Sequence, residues 1–255
     1  MTLIELDNYF NSFLRKENFA ADPSRNGIQI QNGAPTEKPI EKVAFAVDAC
    51  EATALAAAAC GAQALFVHHG LFWGGCTVLT DSHYKRVAAF IKNDIALIAY
   101  HIPLDAHEKV GNNYGLASRI GLKRCVPFGE WHGMTLGVKG ELRSLLSIGE
   151  LARCALRSEK TPCAILPFGK KDIRTVGIIS GGASEDVVQA AAENLDAYIT
   201  GAFEHEYYHI AKEAGINVIA GGHYETETVG VNLVRAKLEK EKRIQTTFID
   251  IPTGL

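Results

Sequence analysis

Short apolar runs rich in branched residues alternate along the chain with longer stretches of helical period, and Gly, Pro, Asn or Asp marks each change. Eight of these runs are predicted to be strands: KVAFAVDA, ALFVHHG, IALIAYH, MTLGVKGEL, TVGIIS, DAYITG, NVIAGGH and IQTTFIDI. Continuous apolar strands joined by helices are typical of parallel sheets covered on both faces. The pattern therefore predicts an α/β fold with mainly parallel sheets and flanking helices.

The two halves of the chain repeat one spacing of predicted strands. Strands of the first half start at Val43, Leu65 and Leu97, and those of the second start at Val176, Ala197 and Val218. The second interval is longer in the first half, where LFWGGCTVLTD is inserted. The spacing indicates an internal duplication, although any α/β protein repeats its units.

The composition of the chain limits the functional classes to which the protein can belong. The chain is 47% hydrophobic and 22% charged, as folded globular proteins are. A formal net charge of -3 gives no overall basic field for nucleic acid or anionic lipid. No run is apolar enough to span a membrane, and MTLIELDNYFNSFL does not resemble a signal peptide. The six cysteines form no CxxC pair. We therefore expect a cytoplasmic protein in which the cysteine thiols are reduced and the cysteines are small, buried side chains.

Candidate metal ligands follow the predicted strands at their carboxyl ends. His68 and His69 end one strand, His101 and Asp105 follow the next, and His223 and Glu227 follow the last strand of the second half. Ligands of open parallel sheets bind beyond this edge. Imidazole and carboxylate oxygen suit zinc, iron and manganese alike. The pattern predicts a site for divalent metal of undetermined identity.

The adjacent histidines raise a geometric difficulty. Neighbouring side chains on a strand point to opposite faces, so His68 and His69 can reach one place only where regular strand geometry ends. We expect Gly70 to end it. If the two imidazoles then point in different directions, they could supply one ligand to each of two ions. The alternative to metal binding is that the two histidines form an exposed polar turn.

Asp105, His223 and Glu227 could also have ordinary structural roles instead of binding metal. Pro103 disfavours helix, so Asp105 is predicted to lie on a loop, as a ligand or as a simple turn aspartate. His223 and Glu227 are four residues apart, which places them on one helical face. Capping of the helix N terminus is the alternative for Glu227.

Three further patterns compete with this hypothesis. HEYYH, residues 205 to 209, matches the HExxH of zinc peptidases but has no third ligand at a recognised spacing. SGGAS, residues 180 to 184, could hold a phosphate on its amides but lacks the lysine of a P-loop. Trp73 and Trp131 could stack on a base, although buried packing is the default for tryptophan.

NGIQI, FVHHGLFW, YHIPLDAH, GNN, YITG and GGHYETE occur in this order, and together they resemble the NGG-interacting-factor-three-like family of dinuclear metal centre hexameric proteins. Members are commonly labelled type 2 GTP cyclohydrolase I homologues. The resemblance runs from about Asn26 to near the carboxyl terminus. It implies two similar, interlinked α/β lobes, which we place at residues 1–125 plus 221–255 and at residues 126–220.

The resemblance also implies a toroidal homohexamer with two divalent ions per subunit. The ligand positions of the family fall on His68, His69, Asp105, His223 and Glu227. Where many members read TGE, this chain has Ala202 as the third residue, so Glu204 or His205 would have to replace that carboxylate.

These features lead us to expect a metal-dependent hydrolase that acts on a small, nucleotide-like molecule, as the GTP cyclohydrolase label implies. Asp105 or Glu227 is predicted to bridge the ions, and His101 to support a ligand or transfer a proton. A metal-binding or scaffold protein without catalysis is the main alternative, and an HExxH peptidase is a remote one.

Overall fold

The computed structural model describes residues 1–156 and 160–255. The helices in these residues are α1 (Leu3–Leu14), α2 (Glu51–Ala59), α3 (Asp81–Lys92), α4 (Ile102–Ala106), α5 (Asn112–Arg119), α6 (Ile148–Ala155), α7 (Val187–Ala192), α8 (Tyr208–Ala214) and α9 (His223–Lys242). The strands are β1 (Gly27–Ile30), β2 (Lys42–Asp48), β3 (Ala64–His69), β4 (Ala96–Ala99), β5 (Lys123–Trp131), β6 (Met134–Leu146), β7 (Ala164–Leu166), β8 (Ile173–Gly182), β9 (Ala197–Ala202), β10 (Asn217–Ala220) and β11 (Gln245–Phe248).

The chain divides into two compact units, and each contains one sheet. The first unit comprises Met1–Leu104 and Val231–Ile251, and the second comprises Asp105–Gly230 and Pro252–Leu255. Backbone contacts define these units, and the lobe limits placed at residues 1–125 plus 221–255 and at 126–220 stay a prediction.

The first unit has a five-stranded sheet in the order β1-β4-β3-β2-β11. All neighbouring pairs are parallel except β1 with β4. Leu65 and Val67 of β3 pack into a core with residues of α2 and α3. On the other face, the ring of Phe66 lies 4.7 Å from Phe10 of α1. Because both faces are covered, the strands are continuous apolar runs.

The second unit has a six-stranded sheet in the order β5-β6-β8-β9-β10-β7. Strands β8, β9 and β10 are parallel neighbours, whereas β5, β6 and β7 add antiparallel edges. The three central strands repeat the arrangement of β2, β3 and β4. The α/β fold with flanking helices is therefore confirmed, and all eight predicted strands are present.

The cysteines are half-buried or exposed, so the expectation that they are small core residues is wrong.

Within residues 1–156 and 160–255, every helix is too short or too polar to cross a lipid bilayer.

Candidate metal centre

Three histidines of the first unit form a cluster at the carboxyl ends of β3 and β4. The ring centroids of His68 and His69 lie 4.5 Å apart, and the ring of His101 lies 5.1 Å from the first and 5.7 Å from the second. Each histidine offers one ring nitrogen, and the three atoms lie within 4.8 Å of one another. The cluster could therefore hold a metal ion.

In each histidine of the cluster, Nδ1 is hydrogen-bonded to an oxygen. The backbone carbonyl of Tyr100 lies 3.2 Å from Nδ1 of His68, Asp48 Oδ1 lies 2.8 Å from that of His69, and Asp22 Oδ1 lies 2.9 Å from that of His101. A carbonyl or ionised carboxylate only accepts hydrogen bonds, so Nδ1 carries the proton. In the neutral ring, Nε2 then carries the lone pair. Oxygen acceptors of this kind usually back metal-binding histidines.

The partner of His69 comes from the neighbouring strand. In the parallel pair of β2 and β3, Asp48 is in register with His69. Their side chains therefore lie side by side at the end of the sheet. Asp48 was not among the predicted site residues, although a carboxylate at the end of an apolar strand that precedes a strand ending in histidines is a usable signal.

The partner of His101 comes from the loop before β1. Asn26 and the backbone N–H of Ser24 also donate to Asp22, and Asn26 Oδ1 accepts the backbone N–H of His101. Burial raises the pKa of the Asp22 carboxyl, but its hydrogen bonds and the charge of His101 outweigh burial and keep this pKa below its ordinary value. The carboxylate is therefore ionised at neutral pH and orients the imidazole.

Gly70 is the first residue after β3, so regular strand geometry ends there, as expected. His68 and His69 are the last two residues of the strand, and Gly70 also meets a steric requirement. A Cβ atom on Gly70 would lie 2.3 Å from the side chain of Gln29, whose Oε1 accepts the backbone N–H of Leu71. The glycine is needed for this close approach.

In the second unit, His223 and Glu227 form a pair on the first turn of α9. Nε2 of the histidine lies 3.3 Å from Oε1 of the glutamate, as their four-residue spacing predicts. Glu227 is buried, and one of its oxygens lies within 4.8 Å of an oxygen of Asp105. These three residues form a second group of potential ligands.

Asp105 lies on α4, and the prediction of a loop is wrong. Pro103 is in the first turn of this short helix, where proline is tolerated because its missing N–H has no intrahelical partner. Asp105 Oδ1 accepts from Asn112 Nδ2 at 2.9 Å and from Ser180 Oγ at 3.0 Å. Both donors contact one oxygen and so orient the carboxylate.

Two buried asparagines at the start of α5 support this arrangement. Asn112 Oδ1 accepts the backbone N–H of Gly230 in α9, and Asn113 Oδ1 accepts that of Ser180. Both side chains are fully buried. In the sequence, GNN stands out only as part of a motif, because adjacent asparagines at a helix start do not reveal these distant partners.

The glycine turn in SGGAS makes room for the second ligand group. Gly181 has a φ of +71°, and a Cβ atom there would lie 2.2 Å from Glu227 Oε1 and 3.3 Å from His223 Nε2. The backbone N–H of Gly181 already donates to Thr226 Oγ1, and Asn113 accepts that of Ser180. These two amides are therefore not available to a phosphate.

HEYYH lies elsewhere on the second unit. His205, Glu206 and His209 are all exposed, and the metal-ligand groups found among the described residues contain none of them. Glu204 is exposed too, and its backbone N–H donates to Ser184. These positions give no support to a peptidase or to a replacement for the carboxylate absent at Ala202.

The residues of both groups suit divalent metal. Neutral imidazole nitrogens and ionised carboxylates are common ligands of zinc, iron and manganese, and oxygen acceptors orient the three histidines. The sequence profile of Duf34/NIF3 (NGG1p interacting factor 3) matches residues 1–254. The chain belongs to this family.

Relatives from two bacteria carry the same name. The family protein from Treponema pallidum, named GTP cyclohydrolase 1 type 2 homolog, is 44% identical over 289 aligned positions that cover all of both chains. The protein of that name from Deinococcus radiodurans is 42% identical and covers 98% of this chain and 94% of its own.

Two solved structures share the whole fold. TTHA1606 from Thermus thermophilus has a TM-score of 0.89 and 34% identity, and ybgI, described as a protein of unknown function, has a TM-score of 0.91 and 30% identity. Both cover 100% of this chain and of their own. The resemblance seen in the sequence motifs is confirmed.

Proposed function

We propose that this NIF3 protein binds two divalent metal ions per chain and hydrolyses a nucleotide-like small molecule. The proposed ligands are His68, His69, Asp105, His223 and Glu227, and one carboxylate, Asp105 or Glu227, would bridge the ions. The name GTP cyclohydrolase 1 type 2 homolog, carried by relatives more than 40% identical, supports this class of substrate.

The observation that carries the proposal is the hydrogen bond from Nδ1 of every clustered histidine to an oxygen. These bonds set the tautomer that places a lone pair on Nε2, the form that His68 and His69 need for coordination and that His101 needs to accept a proton. A cluster that served only packing would not need three matched acceptors. The buried carboxylate of Glu227 beside His223 adds the negative charge that a divalent ion favours.

A bound divalent ion would supply Lewis acidity, which polarises a carbonyl or phosphoryl oxygen and lowers the pKa of water. Residues of the chain would transfer protons and orient the ligands. His101, oriented by Asp22, is proposed to transfer a proton through Nε2, and Asn112 with Ser180 would hold Asp105 in one orientation.

Metal analysis followed by an activity screen tests the proposal. The purified protein should contain about two divalent ions per chain, and His68→Ala and His223→Ala should each lower that number. The metal-loaded protein should hydrolyse GTP or a related nucleotide, and this turnover should disappear in His68→Ala. His209→Ala is the matched control and should retain both metal and turnover.

The other outcomes identify the alternatives. Stoichiometric metal without turnover on a broad nucleotide and phosphoester panel would contradict the hydrolase and favour a metal-binding or scaffold protein. Loss of metal in His209→Ala but not in His69→Ala would favour the peptidase. A protein that takes up no ion at all would overturn the proposal.

We also propose a cytoplasmic, toroidal homohexamer that has no membrane or nucleic-acid partner. The family resemblance supports the hexamer, and the mildly acidic net charge of -3 supports the absence of a nucleic-acid partner. Light scattering coupled to gel filtration would test the assembly, since a monomer or dimer at micromolar concentration would contradict it.

A further inference from the structure

Trp73 lies beside the histidine cluster and is partly exposed. Its ring centroid is 4.9 Å from that of His101 and 6.2 Å from that of His69. The residue is 36% exposed, so buried packing, the default expectation, is wrong here. A large aromatic surface therefore faces solvent next to the three potential metal ligands.

The indole is held in place from two sides. Its Nε1–H donates to the carbonyl of Gly70 at 2.9 Å, and the backbone of Trp73 forms a β-bridge with Ser24. Gly74 N–H donates to the carbonyl of Pro23. Such anchoring lowers the entropy that the side chain would lose on binding a ligand.

The chemistry of the exposed part of Trp73 limits the class of ligand that this side chain can bind. Because Gly70 already accepts the indole N–H, what Trp73 offers outward is π surface rather than a hydrogen-bond donor. A tryptophan face binds flat rings or cations. Cations bound by the neighbouring histidines would repel a cationic ligand, so a flat, uncharged ring fits better.

We propose that Trp73 stacks on a planar heteroaromatic ring of the substrate and thereby selects base-like molecules at the metal centre. This inference rests on the proposed function, because it names the part of the substrate that lies beside His69 and His101. The ring of Trp73 meets that of His101 at an interplanar angle of 77° and that of His69 at 44°, so neither imidazole is stacked parallel to the indole.

Fluorescence gives a direct test, because the chain has only two tryptophans. In Trp131→Phe, all tryptophan emission comes from Trp73. We expect GMP to quench this emission in the zinc-loaded protein along a saturable curve, whereas ribose 5-phosphate, which lacks the ring, should not. If none of guanosine, GMP, AMP and CMP quenches it at millimolar concentration, the inference is wrong.

Calorimetric titration of variants measures the contribution of the ring. Trp73→Leu should weaken GMP binding by roughly 5- to 150-fold, the range for loss of one base–aromatic stack, and Trp73→Phe should retain most of the affinity. Binding of ribose 5-phosphate should not change. Trp131→Leu is the matched control and should bind GMP as the wild type does.

The outcomes separate this inference from the proposed function. Zinc content should be equal in Trp73→Leu and the wild type, because Trp73 is not a ligand. Equal GMP affinity in the two proteins would refute stacking while leaving metal binding intact. A wild-type protein that takes up neither zinc nor any other divalent ion would instead overturn the proposed function.

Discussion

Asp48 decides which nitrogen of His69 carries the proton, because its Oδ1 lies 2.8 Å from Nδ1. In Asp48→Ala the imidazole loses this acceptor and can rotate or change tautomer. We expect affinity for zinc or manganese to fall by roughly 10- to 100-fold, as is typical when the acceptor behind a metal-binding histidine is removed. Competition with a chromogenic chelator would measure the change.

The exposed carboxylate of Glu51 provides the control for this experiment. It lies three residues after Asp48, in the first turn of α2, and removing it deletes the same charge from a neighbouring position in the chain. Glu51→Ala should bind metal as the wild type does. If both variants lose affinity equally, the effect is one of general electrostatics and not of the hydrogen bond to His69.

His101 differs from the other histidines in its proposed role. If it transfers protons, His101→Ala should keep nearly the full metal content while turnover falls about 10²- to 10⁴-fold, the usual contribution of general acid–base catalysis. Metal content and turnover are measured on the same sample. His205→Ala, which removes an exposed histidine, should change neither. Loss of metal in His101→Ala would instead make His101 a ligand, which its place in the three-histidine cluster also allows.

At the scale of elements, the end of β8 is shaped around the ligands on α9. In Gly181→Ala the new methyl group would clash with Glu227 Oε1 and strain a backbone φ of +71°. The strain should lower the free energy of unfolding by about 1–2 kcal/mol, and the displaced carboxylate should lower metal affinity. Chemical denaturation and metal titration would report the two effects separately.

Gly61 offers a matched control for the backbone strain. Its φ is +74°, and a Cβ atom there would meet nothing within 4 Å. Gly61→Ala should therefore lose similar stability but keep full metal affinity. Equal metal affinity in Gly181→Ala and Gly61→Ala would show that the contact with Glu227 does not matter for binding.

Strands buried on both faces were predictable because their apolar runs are continuous. Strand β3 reads ALFVHH, and even its two histidines did not obscure it. The missed strands lie at sheet edges. Strand β5 is mostly exposed and contains Pro127, and β7 has only three residues, so neither shows a clear pattern. Residues that pair only at an edge leave a weak signal in the sequence.

The candidate metal ligands were predictable only where histidine or carboxylate residues follow the ends of predicted strands. His68, His69 and Glu227 could be chosen from their position and chemistry. Asp22 and Asn112 could not, because their roles depend on partners far along the chain: Asp22 on His101, and Asn112 on Gly230. Residues that orient ligands are set by the fold and leave little local pattern.

At the scale of the whole molecule, Asp186 should make stability depend on pH. It lies in the second unit, and burial, followed by the charge of Glu185, raises its pKa from 3.8 to about 6, although Gln189 opposes this with a hydrogen bond. The folded protein therefore binds this proton more tightly than the unfolded chain does. The resulting stabilisation is complete below pH 3.8 and is lost as pH rises through about 6.

Asp186→Asn removes this titration and keeps an oxygen that can accept from Gln189. With allowance for solvent screening, it should stabilise the protein by about 1–2 kcal/mol at neutral pH. Below pH 4 the gain should vanish, because the wild-type carboxyl is then protonated as well. Denaturant titrations of both proteins across this range would measure the difference, and a gain that grows as pH falls would contradict the raised pKa. Glu193→Gln, at a surface carboxylate paired with Lys139, is the control and should not reproduce this pH dependence.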